Sequence, residues 1–168
     1  MAVLRNSMVL LVFFFSSVLV AAAQADSAPQ EKPPEVRIYS KTIKADFNKT
    51  YKKVFSALEN NSYFVIFEPN IGSNLSHFKQ RWGQNYNRNK LEAIRSMVFC
   101  NGWYANEMSN LDPKMMALCP LHITLIHKQG KTTVLFVRPS QVAIHSPAFK
   151  VALELEQDVV RVIEGALD

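Results

Sequence analysis

Apolar and polar positions change their period several times along the chain, and each change marks an element. Residues 36–45 alternate, with Val36, Ile38, Ser40 and Thr42 set against Arg37, Tyr39, Lys41 and Ile43. That two-residue period predicts a half-buried strand. From Phe47 the period lengthens, and Phe47, Tyr51, Val54, Phe55 and Leu58 recur at helical spacing. Asp46 stands where an N-cap belongs, and Asn60-Asn61 supplies the stop. Residues 62–67 predict a second strand, broken by Glu68-Pro69-Asn70. A second helix is expected from Gly72 or Ser73 to Trp82, with Leu75, Phe78 and Trp82 on one stripe, and the Asn-rich residues 84–89 predict a loop.

The apolar residues 91–99 predict a strand over their second half, closed by Cys100-Asn101-Gly102. Residues 103–118 predict short helical turns, restarted at Asp112-Pro113, where an Asp cap precedes Pro at the first helical position. Residues 121–128 and 131–138 form two strands around Gln129-Gly130, which is a hairpin signal. Ser146-Pro147 is expected to open the last helix, whose stripe runs Phe149, Ala152, Leu153, Leu155, Val159, Val162, Ile163 and Leu167. Glu154, Glu156 and Asp158 read as its solvent-facing acids. The order is β-α-β-α-β-α-β-β-α. It predicts an α+β fold with a mixed sheet packed against helices, in one compact domain over residues 36–168.

The first residues follow a different pattern. Arg5 precedes an apolar run over residues 8–20, interrupted by Ser16 and Ser17, and small residues follow up to Ala23-Gln24-Ala25. This is the form of a secretory signal peptide over residues 1–25, cut after Ala25. An uncleaved anchor would need about 20 apolar residues, which the run reaches only with the Ala-rich end included. No basic stop-transfer cluster follows, so no membrane span is expected after cleavage. Residues 26–35, with Pro29, Pro33 and Pro34, predict a disordered linker.

Charge changes the picture little. The full chain carries +5, and the signal removes one Arg and no acid. Lys79, Arg81, Arg88, Lys90 and Arg95, with Trp82 and Tyr86 among them, form the densest basic group. In an exported protein with interspersed acids this reads as a solvated surface, and no nucleic-acid partner is expected. No Gly-x-Ser-x-Gly elbow, His-Glu-x-x-His helix or phosphate-cradling glycine loop occurs among only 5 glycines, so catalysis is not expected.

Candidate chemistry sits in residues 100–122. Export would place Cys100 and Cys119 where disulfides persist. A disulfide between them would staple the intervening excursion by up to about 3 kcal/mol. If their strands are antiparallel neighbours the two meet at one sheet end; if parallel, they do not without a fold-back. Free thiols or a redox pair remain the alternative. Met108, Met115, Met116 and His122 add soft ligands, the kind that select Cu(I) or haem iron. Covalent c-type haem is excluded by the lack of Cys-x-x-Cys-His, which leaves a b-type haem or copper. Against a cofactor, Met is also ordinary core filling. His122 and His127 are five apart on one strand and face opposite sides. Cys100, Asn101, Trp103, Tyr104, Met108 and His122 are the candidate pocket for a small-molecule ligand.

Val98-Phe99-Cys100-Asn101 after a strand is similar to the Phe-Gly-Asn segment of domain-of-unknown-function family 302. Leu118-Cys119-Pro120-Leu121 resembles that family's Leu-Pro-Leu step into its fourth strand, and the helix-then-strand at residues 47–67 is also similarly placed. The resemblance spans residues 38–167. It implies a compact α/β fold that often self-associates, a homodimer for instance, and a periplasmic location, with no established activity. Cys100, where the family usually has Gly, and Cys119 depart from the pattern. The resulting expectation is an exported periplasmic small-molecule-binding or accessory protein, with a redox or haem/copper protein as the alternative.

Overall fold

The computed structural model describes residues 37–168. The signal peptide, its cut, the linker and Val36 lie outside the described residues. Five strands form one sheet: β1 (Ile38–Ile43), β2 (Phe64–Phe67), β3 (Ala93–Cys100), β4 (Leu121–Lys128) and β5 (Lys131–Val137). Their order is β1-β5-β4-β3-β2, and every neighbouring pair is antiparallel. The α+β class and the element order stand, while the sheet expected to be mixed is antiparallel throughout. The reason is placement. β1 and β2, joined through α1 (Phe47–Asn60), run the same way but occupy opposite edges, with β5, β4 and β3 between them.

Local signals explain most of the elements. Asp46 caps α1, its side chain accepting from the Lys49 backbone N–H at 2.8 Å, and Thr50 Oγ1 donates to the Asp46 carbonyl at 2.7 Å. The β4–β5 turn has Gln129 at φ 50° and Gly130 at φ 69°, the two left-handed positions that a tight hairpin turn requires. Asp112 caps the 3-10 segment Pro113–Leu118 through Lys114 N, as the Asp-Pro step predicts.

The long C-terminal helix α6 (Phe149–Leu167) and α1 pack side by side on one face of the sheet. Val54 and Leu58 of α1 and Val159 and Ile163 of α6 are buried there against Met97, Phe99, Ile123, Leu125, Val134 and Phe136. Each such side chain contributes about 1.5–3 kcal/mol by leaving water. The opposite sheet face is not sealed: His122 is exposed, and Ile126 and Leu135 are only half-buried. No helix among the described residues is long and apolar enough to cross a membrane.

Three details depart from expectation. The helix expected up to Trp82 is split into α2 (Ile71–Ser76) and α3 (Lys79–Trp82), because neither piece buries a residue and short helices without a packed face are marginal. Phe78 and Trp82 stack on each other instead, with centroids 4.8 Å apart. Next, α6 begins at Phe149 rather than at Ser146-Pro147. Ser146 Oγ accepts from Ala148 N and donates to Asp112 Oδ2 at 2.7 Å, so this serine ties two segments together before the helix starts. A short helix α5 (Pro139–Val142) precedes it.

The third departure concerns Glu156, expected on the solvent face. It is buried, with its carboxylate taking Arg138 Nη1 at 2.6 Å and Ser140 Oγ at 2.5 Å. α5 supplies the serine that covers it.

Candidate functional site

β3 and β4 are antiparallel neighbours with Phe99 opposite Leu121. The register places Cys100, the last residue of β3, beside Cys119, two residues before β4. Their Sγ atoms lie 3.2 Å apart, and both thiols are free and half-buried. Between them the chain makes α4 (Gly102–Leu111) and the 3-10 segment, each held by its own cap. Asn101 Oδ1 accepts from Tyr104 N at 3.2 Å, while Asn101 Nδ2 donates to the Ser62 carbonyl. Two local caps and the strand register therefore bring the cysteines together.

A cavity of about 20 Å³ lies under this excursion. Cys100, Asn101, Tyr104 and Met108 line it together with Met115, Met116 and Cys119, so five sulfur-bearing residues surround a nearly apolar space. Burial, and then the neighbouring Cys100 thiol, push the Cys119 thiol up to about 11. Reduced, Cys119 holds its proton at neutral pH.

Four of the six candidate pocket residues thus meet. The other two do not join them. Trp103 is 67% exposed on the outer side of α4. His122 directly follows Leu121, which lines the cavity, so its side chain points to the open sheet face, opposite Val98. His127 faces the helices, with its ring edge-on to Phe47 and Nδ1 2.9 Å from Thr132 Oγ1. Among the described residues, no group of three or more His, Cys, Asp or Glu side chains could hold a metal ion. A metal in this cavity would rest on the cysteine pair and the thioethers.

Arg95 was not anticipated as a site residue. Reading it with the basic group of residues 79–95 hid that it is the one charged residue inside β3, which was the available signal. It lies on the helix-covered face, its guanidinium 4.1 Å from the centroid of the Tyr51 ring.

The model of the family described as domain of unknown function DUF302 matches residues 39–166. No curated protein matches. Among solved structures, the chain is similar to the crystal structure of the uncharacterized conserved protein DUF302 from Bacillus stearothermophilus. The identity is 14%, the TM-score 0.67, and the match covers 80% of this chain and 100% of that one. Similarity at that identity is a statement about the fold.

Proposed function

The chain belongs to the DUF302 family of domains of unknown function, and from that premise we propose an exported, periplasmic binding or accessory protein without catalytic chemistry of its own. The observation that carries this reading is the cysteine pair, 3.2 Å apart beside the sulfur-lined cavity, where Asn101 and Tyr104 bring the polar groups and no acid–base pair stands beside them among the described residues. The residue pattern at 1–25 supports the location. In an oxidising compartment the two thiols would lose two protons and two electrons to a disulfide oxidant and close the excursion. The open sheet face offers a surface for a second copy, in keeping with the self-association that the family resemblance implies.

The cavity's size favours one second reading. About 20 Å³ is room for little more than one water molecule. It suits a single soft cation such as Cu(I) among thiolates and thioethers, and it has no room for a haem. Binding there would release the Cys119 proton.

The test is thiol titration of the native, air-exposed protein with and without reductant, together with metal analysis and a visible spectrum. No accessible thiol before reduction and two after is the expected result. Two free thiols in the native, metal-free protein would remove the disulfide, copper near one per chain would establish the second reading, and a Soret band would refute the size argument.

A further inference from the structure

We propose that the cleft divided by Arg95, between the first half of α1 and β3, is a binding site for a small organic monocarboxylate. This goes beyond the sulfur-lined cavity and shares no residue with it.

Arg95 is under-satisfied for a half-buried guanidinium. Its side chain is 31% exposed, yet its Nε is buried with no hydrogen-bond partner. Among the described residues its ion-pair partner is Glu68, at 3.8 Å, beyond hydrogen-bonding distance. Glu68 Oε2 is instead engaged by the Tyr51 hydroxyl at 2.8 Å. Taking a guanidinium out of water without pairing it is costly, and an orphaned buried donor of this kind calls for a water or an ion.

Space for such a partner exists on both sides of the arginine. One cavity of about 360 Å³ lies toward Lys52 and Glu68, and another of about 580 Å³ lies toward Asp46 and Glu92. Both volumes are in the range of small-ligand sites. The Tyr51 ring holds the guanidinium from one side, which fixes the plane of its donor fork. A planar fork matches carboxylate or phosphate oxygens.

Charge decides between them. On the Lys52 side two cations, Arg95 and Lys52, meet one acid, Glu68, whereas on the other side Arg95 faces two acids, Asp46 and Glu92. A monoanion matches the single net charge of the Lys52 side, and a dianionic phosphate exceeds it. In that cavity a monocarboxylate places its one charge on Arg95 and Lys52, lays an apolar body against Phe55, and turns any hydroxyl or amino donor toward Glu68.

The test titrates the mature chain with benzoate, lactate, alanine and inorganic phosphate, following the Arg95 Nε–H resonance and the melting temperature. At least one carboxylate should shift that resonance saturably with a Kd below about 1 mM, and phosphate should bind more weakly. Arg95→Gln should weaken binding roughly tenfold or more by removing the fork. Lys52→Gln, at an exposed position that leaves the fold intact, should weaken it by a smaller factor. No saturable shift by any carboxylate up to about 10 mM, a range well beyond that expected Kd, would overturn the site. Phosphate binding tighter than every carboxylate would overturn the ligand class, and full binding in Arg95→Gln would overturn the role of Arg95.

Discussion

Several side chains act through a partner far away in sequence. Tyr39, Tyr51 and Tyr63 each bury a ring and donate the hydroxyl to a carboxylate, on Glu164, Glu68 and Asp158 respectively. In each case burial first, then the acid partner, pushes the phenol up. Glu156 is the acid for which the difference between a surface and a buried site matters most. Its loss in Glu156→Ala would leave Arg138 and Ser140 without their acceptor. The expected cost is about 3 kcal/mol in urea unfolding, the low end for breaking a buried pair, because Arg138 keeps a third of its side chain in water. Glu156→Gln, which keeps an acceptor for Ser140, should cost less. A change below about 0.5 kcal/mol would return Glu156 to the ordinary surface class.

Elements here stand or fall on their ends and on the faces they bury. α1 has both supports, a side-chain cap and a buried stripe of Phe47, Tyr51, Val54 and Leu58. Asp46→Ala should lower stability by about 1 kcal/mol, and Asp46→Asn should recover most of it, since the amide oxygen can still accept from Lys49 N. Equal losses in the two variants would mean that the charge, not the acceptor, matters. α2 and α3 have no buried face, which is why an expected single helix became two short pieces. Among the described residues, edge strand β2 pairs only with β3, and Glu59 Oε1 supplements it by accepting from Val65 N at 2.7 Å. Its Phe64, Ile66 and Phe67 are all more than half exposed.

At the scale of the molecule, side-chain clips join parts that the chain does not connect locally. Glu164 near the C-terminus takes Tyr39 and Lys41 of β1, and Asp112 takes Ser146 across the α4–α6 region. Hydrogen bonds from Tyr39 and Lys41 hold the Glu164 carboxyl below its usual range, and those from Ser146 and Lys114 do the same for Asp112. A depressed folded-state value means stability that is fully present above the ordinary carboxylate range and lost as pH falls through the folded one. The melting temperature should therefore drop as pH is lowered from about 5 to 3. Glu164→Gln should reduce that drop while lowering stability at neutral pH. An unchanged pH profile in the variant would show that this clip does not contribute.

The periods of apolar residues determined the elements, because the backbone geometry of a strand or a helix imposes its own repeat on whatever face is buried. Caps and turn residues determined several boundaries for the same local reason, at Asp46, Asp112 and Gln129-Gly130. Beyond the β4–β5 hairpin, which the Gln129-Gly130 turn announces, strand order was not legible, since a period tells which side chains share a face and nothing about which strand lies alongside. Antiparallel pairing of β3 with β4 is what brings Cys100 to Cys119, and β3's place under α1 is what sets Arg95 against Tyr51. Likewise Glu156 looks like a surface acid until α5 and Arg138 cover it. Local chemistry thus determined the parts. Long-range packing alone decided which polar groups would be taken out of water, and so where binding chemistry could reside.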